Sequence, residues 1–377
     1  MTAAWSSPVV KVELFAVRSR FRHAFALGSG HVDGSTADPD VLFVRLETAD
    51  GSVGWGEQRA LPSWSYETLA TMASVITEVL GPLVTDLDRL DPALFHQRAD
   101  AALRPAVSQG FPFARAAVDL ALHDLVGRRL GVPVHALLGG RVHDRIPLCS
   151  AIGIDTPEAM AERARESAHL HAYKIKIGGD PIADAQRVRA VAEVAAGKPL
   201  WLDANQSYRP STLRVLLDRI ADVGPLHCVE QPVPSTDWAG LRRARELTGP
   251  PIAIDEGCFS ATDLARTAVL DGADLVVIKV GKSGGLHPAL RSAAVAEAHG
   301  IEVLASGLTD LGVGFAAALH FFAGQRLSLP AELNGPELVS QLYVDGLEFV
   351  DGAVSVPTGP GLGIAVDEGA IRADTVR

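Results

Sequence analysis

Residues 173–208 read YKIKIGGDPIADAQRVRAVAEVAAGKPLWLDANQSY, and this stretch decides the fold. A short apolar run (YKIKI) is followed by Asp180-Pro181, an Ala- and Arg-rich segment with helical spacing over 181–196, and a second apolar run (LWLDA). Such a strand–helix–strand unit joins parallel strands, because parallel pairing needs a crossover of this length. Working outward, the same texture repeats. The apolar runs are IPLCSAI (146–152), YKIKI (173–177), LWLDA (200–204), HCVEQ (227–231), IAIDE (252–256), LVVIK (275–279), IEVLA (301–305) and LSLPAEL (327–333). Eight runs about 25 residues apart, with helical sequence between most of them, predict a TIM-type β/α barrel over roughly 140–336.

Before the barrel the pattern differs. Residues 9–19 and 41–57 alternate as strands do, and Asp50-Gly51 within the second run marks a hairpin. A Gly-, Ser- and His-containing loop spans roughly 21–40. Helical spacing follows over 66–81, 91–103 and 111–130, the last stopped by Gly131 and Pro133. Strands followed by helices predict an α+β domain over residues 1–135.

The chain has 377 residues, 47% hydrophobic and 21% charged, with a formal net charge of -11. An acidic chain is a poor match to nucleic acid, which demands clustered Lys and Arg. Cys149, Cys228 and Cys258 are too few and too far apart for a disulfide framework or a Cys-rich metal site. No apolar run is long enough to span a bilayer, and the N-terminus lacks the layout of a secretory signal. These features lead to the expectation of a cytoplasmic protein without membrane or nucleic-acid partners.

Charges recur where the apolar runs end: Lys174 and Lys176, Asp203, Glu230, Asp255 with Glu256, and Lys279. Barrel strands are buried on both faces, so a charge there is costly unless paired or bound to metal. Active sites of such barrels lie at the C-terminal ends of the strands. One acidic residue at a strand end is ordinarily a turn or cap, but the full set in this order points to a catalytic centre. Asp203, Glu230 and Asp255 come from successive strands and are hard oxygen donors, which favours Mg2+ (or Mn2+) over Zn2+. Lys174 and Lys176 face one way on their strand, and their mutual repulsion is expected to lower a lysine pKa toward that of a general base. Lys279 is expected across the mouth from Lys176. His169 and His171 precede a strand and are read as surface or packing residues.

The segments VDLALHDLVGRRLGVPVHALLGGR (118–141), YKIKIGGD (173–180), LDANQSY (202–208), VEQPVP (229–234), IDEG (254–257), VIKVGKSGGL (277–286), AEAHGIEVLASGLTDLGVG (296–314) and AELNGPEL (331–338) resemble the enolase superfamily, within it the mandelate racemase/muconate lactonizing enzyme subgroup. The resemblance implies a modified TIM barrel, (β/α)7β-like, with an N-terminal α+β capping domain to which part of 337–377 returns. It implies Asp203, Glu230 and Asp255 as Mg2+ ligands, Lys176 and Lys279 as acid/bases, Lys174 as modulator, and Asn205 and Glu256 as supports of the metal site. A small carboxylate-containing substrate and a homo-oligomer are further implications.

Specificity is expected in the loops 20–35 and 57–67, with Arg20, Arg22, His23, Trp64 and Tyr66 as candidates, and at Asp310, Glu332 and Asn334. Subgroup cycloisomerases carry an acid in the seventh-strand segment, generally Glu, where Asp310 is the nearest equivalent here. Asn334 stands where those enzymes have a bulky apolar residue, and suits a substrate amide or amine. The reaction is then a cycloisomerisation, a racemisation or epimerisation of an N-substituted amino acid or dipeptide, or a dehydration of the o-succinylbenzoate synthase kind. A non-enzymatic binding barrel would be expected to have lost some of these charges.

Overall fold

The computed structural model describes residues 7–22, 25–27, 30–32, 40–62, 64–104, 110–224, 226–247 and 249–376. A three-stranded antiparallel sheet opens the chain, Val9–Val17 pairing with Val41–Thr48 and that strand with Val53–Arg59. The hairpin turns at Asp50-Gly51 as expected: Gly51 has φ +83° and its N–H donates to Thr48 O at 2.9 Å. Within the segment expected to be loop, Phe25–Leu27 and Gly30–Val32 form a short antiparallel pair.

The sheet is covered by the helix Pro112–Leu130, whose packing depends on two glycines. A Cβ at Gly54 would lie 2.3 Å from Ala121 O, and one at Gly56 would lie 1.9 Å from Ala117 O. Without side chains there, the helix backbone sits directly on the strand. The helix ends at Gly131 in the left-handed region, φ 69°.

The second part is a seven-stranded parallel sheet whose spatial order follows the chain: Cys149–Ile152, Ala172–Lys176, Leu200–Asp203, Leu226–Glu230, Ile252–Ile254, Leu275–Ile278 and Glu302–Ala305. The eighth apolar run does not form a regular strand. It closes the barrel through single bridges, Leu148 with Ala331 on the first-strand side and Ser306 with Glu332 on the seventh. Pro330 inside LSLPAEL has no N–H for a ladder, which accounts for the interruption. Three of the intervening helices start with Pro in first position, after Thr156, Asp180 and Arg209.

The barrel is filled below its mouth by Cys149, Trp201, Cys228 and Leu304, among others. Its chemistry is therefore confined to one end. The C-terminal segment returns to the first sheet: Val376 N donates to Ala16 O at 2.9 Å, and Thr375 bridges Val17. None of the helices, among the described residues, is long and apolar enough to cross a membrane.

Candidate active site

Every charged residue singled out at a strand end points into the mouth and is buried: Lys174, Lys176, Asp203, Glu230, Asp255, Glu256 and Lys279 are each at most 7% exposed. Lys174 and Lys176 lie on the second strand, Asp203 ends the third and Glu230 the fourth, Asp255 follows the fifth and Lys279 follows the sixth. Second and sixth positions of an eight-membered closed barrel are diametrically opposed. Lys176 and Lys279 thus face each other across the mouth, and the three carboxylates fill the arc between them.

Lys174 is surrounded by carboxylates and shares Asp203 with Lys176. Its ammonium lies 3.0 Å from Asp203, 2.9 Å from Glu230 and 3.3 Å from Glu332, and 4.4 Å from the centre of the Trp201 ring. Burial alone would lower its pKa, but Asp203, Glu230, Glu332 and Asp255 outweigh that and hold it well above the ordinary lysine value. The pKa of Lys279 is likewise raised: burial opposes, and Asp255, bonded to its Nζ, prevails. At Lys174 the net shift is upward because carboxylates from neighbouring strands lie within hydrogen-bond reach of its ammonium.

Lys176 donates to Asp203 and, at 3.1 Å, to Asn205 Oδ1. Asn205 is fixed in turn, its N–H on Asp203 Oδ1 at 2.9 Å and its side-chain amide donating to Glu256 at 3.0 Å. Burial, then Asp255 and Asp203, push the Glu256 carboxyl up to about 7. Asp203 and Asp255 are held below the usual range: burial opposes this, but Lys174 and Lys176 prevail at the first and Lys279 and Lys282 at the second.

Among the described residues no group of three or more His, Cys, Asp or Glu is arranged to hold a metal as it stands, lysine ammoniums filling the space between the carboxylates. The chemistry nevertheless fits. Three hard oxygen donors share one buried mouth, and Lys174 shows that a cation is accommodated between Asp203 and Glu230. One oxygen of Glu256 accepts no hydrogen bond.

The specificity candidates separate. Trp64 is brought to the mouth: its ring lies 5.0 Å from Lys279 Nζ and packs between Phe113 and Phe259. Glu332 accepts from Lys174 and from Ser306. Asn334 is 5% exposed, and its side-chain oxygen has no partner. Asp310 is half-buried at the seventh loop, accepting from Leu308 N at 3.2 Å.

The others are engaged elsewhere. Arg20 pairs with Asp374, Arg22 donates to Val339 O, and exposed Tyr66 accepts from Phe111 N. His23 lies outside the described residues. His171 bonds Asp351 O in the turn between the strands Phe349–Val350 and Ala353–Ser355.

Three residues escaped the sequence reading. Lys282 binds Asp255, Gln231 accepts the N–H groups of Asp255 and Gly257 through its side chain, and Glu57 of the first sheet accepts from Leu311, Val313 and Gly314 at the start of the helix Gly312–Phe322. Only the pairing of Lys282 with Lys279 in K-V-G-K was there to signal the first.

Comparison with known proteins identifies the family. Residues 158–370 match the family described as Enolase C-terminal domain-like, and residues 13–139 match the Mandelate racemase / muconate lactonizing enzyme, N-terminal domain. The chain belongs to this family of the enolase superfamily. Family members similar to it include the N-succinyl-L-Arg/Lys racemase of Bacillus cereus, 29% identical over 98% of both chains. The crystal structure of that racemase has a TM-score of 0.90 at 28% identity and covers 97% of each chain. Muconate cycloisomerase 1 of Rhodococcus opacus is 31% identical over 93% of each. The dipeptide epimerase of Enterococcus faecalis, solved with Mg and the dipeptide L-Leu-L-Tyr, has a TM-score of 0.85 at 29% identity, covering 95% of this chain and 99% of its own. As a member of a family whose relatives are isomerases, the chain is an enzyme.

Proposed function

We propose that this enzyme is a Mg2+-dependent racemase or epimerase of an N-substituted amino acid or dipeptide, acting by removal and return of the proton next to the substrate carboxylate. The observation that carries the reading is the opposed placement of Lys176 and Lys279, with Asp203, Glu230 and Asp255 between them. Inversion at carbon needs a proton acceptor on one face and a donor on the other. Asp203, Glu230 and Asp255 would hold Mg2+ (or Mn2+), which when bound supplies positive charge opposite the negative charge that gathers on the substrate carboxylate.

Lys176 takes the proton from one enantiomer and Lys279 returns it from the opposite face; the roles exchange for the other enantiomer, for which Lys279 must be a free amine, and a cation on Asp255 would remove the partner that raises its pKa. Lys174, bonded to three carboxylates, stays an ammonium and adds to the positive field. Asn205 keeps Lys176 and Asp203 in register. Trp64 covers Lys279 and keeps water off it. The unpartnered oxygen of Asn334 suits an N–H of the substrate, which supports a peptide or N-acyl amino acid over a dicarboxylate without nitrogen.

A cycloisomerisation of the muconate type is the second reading, favoured by the 31% identity to muconate cycloisomerase 1 and by Asp310 at the seventh loop. The two are separated by incubating the enzyme with Mg2+ in D2O and a panel of N-acyl amino acids, dipeptides, betaines and muconates, followed by proton NMR. Deuterium entry at the α-carbon with inversion, abolished by EDTA, is the expected result. Lactone from muconates alone would give the second reading its place.

A further inference from the structure

We propose that Lys282 is a positioning residue that presents Asp255 to the metal. The inference rests on the metal reading above and extends it to a side chain with no direct part in the chemistry.

Lys282 is 1% exposed. An ammonium has three N–H donors, and each has an acceptor here: Asp255 Oδ1 at 2.6 Å, Asp255 O at 2.9 Å and Val277 O at 2.7 Å. No donor is left for a substrate. Two acceptors are backbone carbonyls, one just past the fifth strand and one within the sixth, so the side chain is a strut between neighbouring strands. The third fixes one oxygen of Asp255, and Lys279 takes the other. Two lysines three residues apart thereby divide one carboxylate, Lys282 on the oxygen it shares with the backbone strut and Lys279 on the oxygen facing the mouth.

The short helix that carries Lys282, Val280–Ser283, is itself pinned. A Cβ at Gly281 would lie 2.2 Å from Gln58 Oε1 of the first sheet, so the helix seats directly under that residue.

A positioning role and a mere charge effect predict opposite signs. Removing a positive charge beside a cation site relieves repulsion and tightens metal binding. Removing the hydrogen bonds that orient a ligating carboxylate weakens it, by roughly 10–100-fold.

The test titrates Mg2+ alone, calorimetrically, into the EDTA-stripped full chain. Variants are Lys282→Met and Lys282→Gln, with Glu67→Gln as a control, a buried cap residue bonded to Phe113 and Ala114 N–H groups. Thermal unfolding in EDTA accompanies each titration. The expected result is Mg2+ affinity roughly 10–100-fold lower in Lys282→Met, a smaller loss in Lys282→Gln, which keeps two donors, and no change in Glu67→Gln even where its melting temperature falls. Unchanged or tighter Mg2+ binding in the folded Lys282 variants overturns the inference while leaving the metal reading intact. A wild-type chain that takes up no Mg2+ overturns both. If Lys282→Met does not fold, Lys282→Gln is judged by the same two signs.

Discussion

Lys176 and Lys279 bear the proposed chemistry, and each is bonded to a different carboxylate, Asp203 and Asp255. Replacing either by Ala removes the proton carrier on one face. The expected loss in racemisation is about 10²–10⁴-fold, read by polarimetry, with circular dichroism confirming an intact fold. The residues at strand ends were legible in the sequence because burial makes a charge there conspicuous. Their protonation was not. Period-two alternation shows that Lys174 and Lys176 share a face, but not that Asp203, Glu230 and Glu332 intrude from other strands and reverse the sign of the Lys174 shift. Lys282 was illegible for a related reason: three residues past a strand, a lysine reads as solvated helix surface, and only the fold turns it inward. Trp64 was legible as an aromatic in a loop, while its place over Lys279 depends on stacking with Phe113 and Phe259 from distant segments.

At the scale of elements, the strand–helix alternation and the Asp50-Gly51 hairpin followed from pattern, because period and turn chemistry are local properties. The irregular closure by 327–333 is legible only in part: Pro330 marks a missing ladder donor, but the register is set by the first and seventh strands. The seating of the Pro112–Leu130 helix on Gly54 and Gly56 gives a direct test. Gly56→Ala would force a methyl against Ala117 O from a backbone that cannot yield cheaply, and should cost about 1–3 kcal/mol, measured by urea unfolding.

A second element-scale prediction concerns His320, in the helix Gly312–Phe322. Its Nδ1 accepts the backbone N–H of His135 at 3.2 Å and its Nε2 donates to Leu362 O at 3.1 Å, so the neutral ring fits and the doubly protonated ring loses a bond. Burial is the first cause that lowers its pKa from 6.5 to about 4. Between those values the unfolded chain binds more protons than the folded one, so stability falls as pH drops from 6.5 to 4, by up to about 3 kcal/mol. Melting temperatures across this window should fall more steeply in wild type than in His320→Gln.

For the molecule as a whole, the cap and the barrel act as one site. Glu57 of the cap sheet receives three N–H groups at the start of a barrel helix, and Trp64 from the loop beyond that strand covers a barrel lysine. Glu57→Ala is expected to cost about 3 kcal/mol, since it strips the acceptor from three buried donors, and to slow turnover although Glu57 lies outside the lysine–carboxylate cluster. Thermal unfolding and initial rates check the two effects. Under the proposed function, an acidic chain of net charge -11 can still serve an anionic substrate, because a divalent cation held by the buried carboxylates would supply the local positive charge.

The most direct test of two-base proton transfer uses each enantiomer of the best substrate from the panel separately, in D2O with Mg2+, and follows α-deuterium entry by NMR in Lys176→Ala and Lys279→Ala. The account predicts that both variants lose racemisation, that Lys279→Ala exchanges the α-proton of one enantiomer only, and that Lys176→Ala exchanges that of the other only. Exchange lost from both enantiomers in one variant and kept for both in the other would contradict it, and would leave a single lysine as the base.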